Sequence, residues 1–109
     1  MAPPLFRPEL TSTIRRWVFT GALNKDDGRR VLESSLRLPV YIDDAGDALQ
    51  RRAFDVAAEL NHPRAYDGQY MALAEFNRCE LWTADRRLVH AAGRKFPWVH
   101  WIGDYSMPL

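Results

Sequence analysis

The stretch AYDGQYMALAEFNRCELWTADRRL, Ala65 to Leu88, places two aspartates at two element junctions. Asp67 stands where a helical pattern begins, and Asp85 follows a short apolar run and precedes another helical segment. Tyr66, Tyr70, Leu73 and Asn77 share one helical face, with Met71 and Ala74 beside it. Cys79 to Thr83 reads as a short strand, Asp85 to Lys95 as a helix, and Trp98 to Ile102 as a second strand after Pro97. Helix, strand, helix, strand at this spacing predicts a parallel sheet built from crossover units. Functional groups of such sheets gather at the carboxyl ends of the strands, and Asp85 falls at that end.

Upstream, the chain reads as a dense run of helices. Pro8 and Glu9 fit a first helical turn, where the missing proline N–H costs nothing. Leu10, Ile14, Trp17 and Val18 recur at helical spacing, and Gly21 is a natural stop. Asn24 is placed to cap a second helix that turns Val31, Leu32, Ser35 and Leu36 inward. Pro39 ends it, and Val40 to Ile42 is a short apolar strand or loop. A third helix sets Leu49, Ala53, Val56, Ala57 and Leu60 on one face, until Pro63 breaks the pattern at His62.

With 109 residues the chain reads as one domain, residues 1–109, near the small end of what buries a core unaided. A net charge of +1 argues against holding nucleic acid by bulk electrostatics, although an acidic site ringed by local arginines stays open. No apolar run approaches the ~18 residues of a membrane span, and MAPPLFRPEL lacks the pattern of a secretion signal. Cys79 is the only cysteine, so no internal disulfide forms, which fits a reducing cytoplasm. It reads as a small buried hydrophobe, the four tryptophans as core or interface, and His62, His90 and His100 as packing or surface groups. No Gly-rich phosphate loop or nucleophile elbow is present.

Two readings of the acids compete. A carboxylate in a first helical turn is favoured by the helix dipole, and Asp is a common N-cap, so Asp67, Asp85 and Glu9 can each be structural. Together they also suit hydrolysis of a phosphodiester assisted by Mg²⁺ or Mn²⁺, which take hard oxygen ligands from a few carboxylates. Thr83 is placed to orient a carboxylate or a water, or serves as a plain β-branched strand residue. Arg86 and Arg87 follow Asp85 directly and are candidates for phosphate contact.

The stretch Ala65 to Leu88 resembles the C-terminal half of PIN domains, above all those of VapC-type toxins. The shared pattern is a Tyr-Asp-x-x-Tyr-x-x-Leu-Ala helix, a short apolar strand, then Thr-x-Asp-x-x-Leu. APPLFRPELTSTIRR is similar to the family's segment leading into a helix with a metal-site Glu, RLPVYI to its middle strand and FPWVHWIGDY to its closing strand. The resemblance implies a PIN-like three-layer α/β fold, a small parallel sheet flanked by helices. It implies an endoribonuclease dependent on Mg²⁺ or Mn²⁺, with Glu9, Asp67 and Asp85 as metal ligands and Thr83 beside them. It further implies control by a cognate antitoxin protein and assembly as a homodimer. The family's domain begins with a strand ending in aspartate and a helical stretch, which would precede Ala2. An N-terminally incomplete domain with impaired cleavage is therefore expected. The alternative is a catalytically inactive relative that binds an antitoxin or another PIN subunit.

Overall fold

The computed structural model describes residues 1–106. It has an α/β fold with five α-helices and a small parallel sheet of two strands. The chain divides into two compact units, Met1–Asp44 and the part from Ala45 onward.

The first unit contains α1 (Phe6–Phe19) and α2 (Lys25–Leu36). Pro8 lies in the first turn of α1, where its lack of an N–H removes no helical hydrogen bond. Gly21, just beyond the helix, takes φ +85°, the left-handed conformation that a glycine stop supplies. Asn24 caps α2 as its sequence predicts: its side-chain oxygen accepts from the Asp27 amide at 2.8 Å, and its Nδ2 donates to Asp27 Oδ2 at 3.0 Å. The inward face of α2 is narrower than its pattern suggests. Leu32 and Ser35 are half-buried, but Val31 and Leu36 are exposed. The buried contact is Gly28, where any side chain would collide with Val18 of α1. The Val18 side chain of α1 fills the space that a side chain at position 28 would need. Val40 to Ile42 contributes a single parallel bridge, from Ile42 to Ala2, rather than a strand. Ala2 N donates to the Tyr41 carbonyl at 2.8 Å and Asp43 N to the Ala2 carbonyl at 2.9 Å.

The second unit runs α3 (Gly46–Glu59), α4 (Tyr66–Phe76), β1 (Leu81–Thr83), α5 (Arg86–Ala92) and β2 (Val99–Trp101), with a 3-10 turn at Ile102–Asp104. The predicted face of α3 is its buried face: Leu49, Ala53, Val56, Ala57 and Leu60 are all inside. The face predicted for α4 is buried in part, at Leu73 with Met71 and Ala74 beside it. Tyr66 and Asn77 are exposed, whereas Gly68 and the consecutive residues Met71, Ala72, Leu73 and Ala74 are buried. Four buried residues in a row exceed one helical stripe, because α4 is covered on more than one side. Ala72 and Leu73 join Leu49 and Ala53 in one cluster, while Met71 joins Val56, Leu60, Leu88, Ala92, Phe96 and Val99 in another. Gly68 lets α4 press against α3, since a β-carbon there would lie 2.5 Å from the Ala53 carbonyl oxygen.

Polar pairs clasp the same two helices. Arg52 of α3 reaches both carboxylate oxygens of Glu75 on α4, at 2.7 and 3.0 Å, and Glu59 at 3.4 Å. Hydrogen bonding to Glu75 raises its pKa further, with burial opposing. Gln50 and Gln69 exchange amide hydrogen bonds. Both helices end in a left-handed residue that is not glycine, Asn61 (φ 56°) and Arg78 (φ 52°). The next amide then reaches back past the last turn, His62 N to the Ala57 carbonyl at 2.8 Å and Cys79 N to the Ala74 carbonyl at 3.0 Å.

β1 and β2 pair in parallel, Leu81 with Val99, Trp82 with His100 and Thr83 with Trp101, with α5 as the crossover. The strands are shorter than the apolar runs that encode them. Cys79 is therefore not a strand residue: it lies exposed in the turn after α4, contrary to its reading as a buried hydrophobe. Of the tryptophans read as core, Trp17 and Trp82 are exposed, and Trp98 is partly buried against the second cluster. Among the described residues no helix is long and apolar enough to cross a membrane.

Candidate active site

The carboxyl end of β1 delivers Thr83, then Asp85 at the start of α5. Asp85 is a working N-cap: its extended backbone (φ −89°, ψ 102°) turns Oδ1 onto the Arg87 amide at 2.9 Å. The Thr83 hydroxyl accepts a hydrogen bond from the Asp85 amide at 3.1 Å, so Thr83 supports Asp85 through the backbone rather than through the carboxylate. Among the described residues Oδ2 of Asp85 takes no protein hydrogen bond. One carboxylate oxygen holds the turn, and the other does not take part in it.

Asp67 is held differently. Its helix is preceded by Ala65 at the N-cap position, and no side chain caps it. Asp67 sits one residue inside the first turn with its side chain 44% exposed. Its ionisable neighbour is His62, whose Nδ1 stands 3.8 Å from Oδ2, too far for a hydrogen bond. Burial pushes the Asp67 carboxyl above the ordinary carboxylate range; His62 opposes this, and the charge of Asp85 adds to it. The charge of Asp85 thus reaches Asp67 within one unit. His62 escaped the reading of the sequence because its partner lies across a break rather than at a ligand spacing. The one signal was its position directly before Pro63, at the entry to the helix that carries Asp67.

Glu9 lies in the first turn of α1, partly buried, and belongs to the first unit. Among the described residues no three His, Cys, Asp or Glu side chains are gathered tightly enough to hold a metal ion. The donor chemistry of the second unit nevertheless suits a hard cation. Asp67 and Asp85 are both oxygen donors, and the cost of charging the part-buried Asp67 is what a bound positive charge would relieve.

Arg86 and Arg87 follow the cap. Arg87 gives its amide to Asp85 and leaves its side chain exposed. The Arg86 guanidinium carbon lies over the Trp101 ring, 3.8 Å from its centroid. In the first unit, Thr11, Ile14, Arg15, Val18, Lys25, Gly28, Arg29 and Leu32 line an open groove of about 520 Å³ with an apolar floor and a basic rim.

No family profile matches the chain, and no solved structure matches it. Curated relatives do. VapC ribonuclease Mb0985 of Mycobacterium bovis is 40% identical over 86 residues, which cover 79% of this chain and 65% of the relative. Ribonuclease VapC9 of Mycobacterium tuberculosis matches with the same identity and the same coverage. The chain is therefore similar to VapC ribonucleases over most of its own length, and spans just under two thirds of the length of those relatives.

Proposed function

We propose that this chain belongs to the VapC ribonucleases and carries the acidic half of a PIN-type active site that cleaves RNA. The observation that supports this most is the pair Asp67 and Asp85: they open successive helices around β1, and burial, with the charge of Asp85 adding to it, raises the cost of charging Asp67. They do so inside a segment of 40% identity to proteins described as ribonucleases. Capping accounts for Asp85 but not for Asp67, which caps nothing and is pushed toward neutrality where it stands.

In this reading Asp67 and Asp85 would hold Mg²⁺ or Mn²⁺; Glu9, in the first unit, is a ligand candidate on the sequence resemblance alone. A bound divalent ion supplies Lewis acidity at the phosphodiester and lowers the pKa of attacking water. The residues of this chain do the rest. Asp85 keeps Oδ2 available while Oδ1 and the Thr83 hydroxyl fix its turn, and His62 offsets part of the charge on Asp67. Arg86 and Arg87 meet substrate phosphate. The partners are RNA, a cognate antitoxin and a second copy of the chain, in the cytoplasm. The basic-rimmed groove of the first unit suits an acidic, partly apolar antitoxin segment.

The test is cleavage of a labelled single-stranded RNA with Mn²⁺, comparing the full chain with Asp67→Asn and Asp85→Asn. Loss of cleavage in both variants, with unchanged circular dichroism, supports the reading. Cleavage that survives the double substitution overturns it. A wild-type chain that is folded, inert toward RNA and tightly bound by an antitoxin would favour a protein-binding role instead.

A further inference from the structure

Arg86 is the one arginine of the acidic end whose guanidinium has a fixed seat. Its carbon centre stands 3.8 Å from the centroid of the Trp101 ring. Trp101 ends β2 and pairs in register with Thr83, two residues before Asp85, so the seat is built into the sheet that presents the acids. The ring is backed by Gly103, where even a methyl group would run into it. Nothing larger than glycine leaves the indole where it is. A guanidinium stacked by its face keeps its N–H groups in the plane, pointing outward from the ring edge. Arg52, by contrast, spends its donors on Glu75 and Glu59. Among the described residues no carboxylate pairs with Arg86, so its face is occupied and its donor edge is not.

From this geometry we infer that Trp101 and Gly103 are positioning residues, which clamp Arg86 beside Asp85 so that its donor edge takes a phosphate of single-stranded RNA. The inference rests on the ribonuclease reading given above. It deepens that reading by separating two adjacent exposed arginines: Arg86 is seated on the indole, whereas among the described residues Arg87 has no such ring contact. A flexible arginine must lose rotamer freedom on meeting phosphate, and a stacked one has already lost it.

The test measures binding of a short fluorescent single-stranded RNA to the full chain by anisotropy, with the divalent ions chelated so that nothing is cut, over a range of KCl. Arg86→Ala should weaken binding several-fold and flatten the slope of log K against log salt by about 0.7, the value for one lost phosphate contact on a single strand. Trp101→Leu should weaken binding by a similar factor, and Arg86→Ala added to it should cost little more. Trp101→Phe should restore most of the affinity, because it keeps a ring face. Gly103→Ala, which displaces the ring without removing it, should behave like Trp101→Leu and decides the matter if that variant does not fold. Wild-type binding by both Trp101→Leu and Gly103→Ala overturns the clamp, as does an additive double variant. Cleavage by the wild type that depends on Asp67, together with undiminished binding by Arg86→Ala, sinks the clamp and leaves the ribonuclease reading standing. A wild type that neither cuts nor binds RNA sinks both.

Discussion

The entrances to α4 and α5 look alike in sequence, an aspartate near the first turn of each, yet the two are built on opposite principles. At α5, Asp85 satisfies the Arg87 amide and is itself propped by Thr83. At α4, Asp67 satisfies no amide of its own helix, is partly buried, and is raised above the ordinary carboxylate range by that burial and by Asp85. One acid stabilises the fold where it stands and the other strains it. A residue retained against its own electrostatics is the better guide to function, so Asp67 is more informative than the better-ordered Asp85.

The contrast is open to measurement. The largest effect should be on cleavage, where the two positions should be indistinguishable: Asp67→Asn or Asp85→Asn should each lower the rate of metal-dependent RNA cleavage by at least about 100-fold, the upper end of what even an outer-sphere metal partner contributes. Unequal losses would mean that one of the two only tunes the other. Next comes the scaffold that carries Asp67. Gly68→Ala should destabilise the chain by about 1–3 kcal/mol in urea unfolding, because the added methyl meets backbone at Ala53 and cannot be accommodated by a rotamer change. A neutral Gly68→Ala would show that α3 and α4 can part freely.

Stability should then separate the two acids. Asp85→Ala should cost about 1 kcal/mol through the lost cap, and Asp85→Asn much less, since asparagine caps as well. The smallest effect belongs to Asp67 and has the opposite sign. Its folded-state pKa lies above its unfolded value, so the folded chain binds that proton more tightly. The penalty is absent below the unfolded pKa, near 4, grows as pH rises through the folded value, and is complete above it. Asp67→Asn should therefore melt slightly above the wild type at pH 7, and the gap should close as pH falls below about 4. A lower melting temperature for Asp67→Asn at pH 7 would mean that Asp67 serves the fold after all.

What the sequence disclosed follows the reach of the forces involved. The cap at Asn24 and the inward face of α3 depend on residues within a turn or two of one another, and both were legible. So was the parallel pairing of β1 with β2 across α5, because a crossover leaves a length and a period in the chain. The buried surface of α4 was legible only in part, at Met71, Leu73 and Ala74, because two clusters grip that helix and a one-sided pattern cannot announce a second neighbour. Arg52 with Glu75, Arg86 over Trp101 and His62 beside Asp67 all join different elements or cross a break, where local periodicity carries no information. Cys79 was misplaced for a related reason: the apolar run continues past the helix, but the left-handed Arg78 postpones the strand until Leu81. The two acids were visible as a pair; the difference in how they are held required coordinates.

The left-handed ending of α3 ties the acidic region to a clock. His62, the partner of Asp67, donates the amide that closes that helix onto Ala57. Each time the final turn of α3 frays, the bond opens and the imidazole is released from its place near the carboxylate. Hydrogen exchange at the His62 amide consequently reads how often Asp67 loses its neighbour.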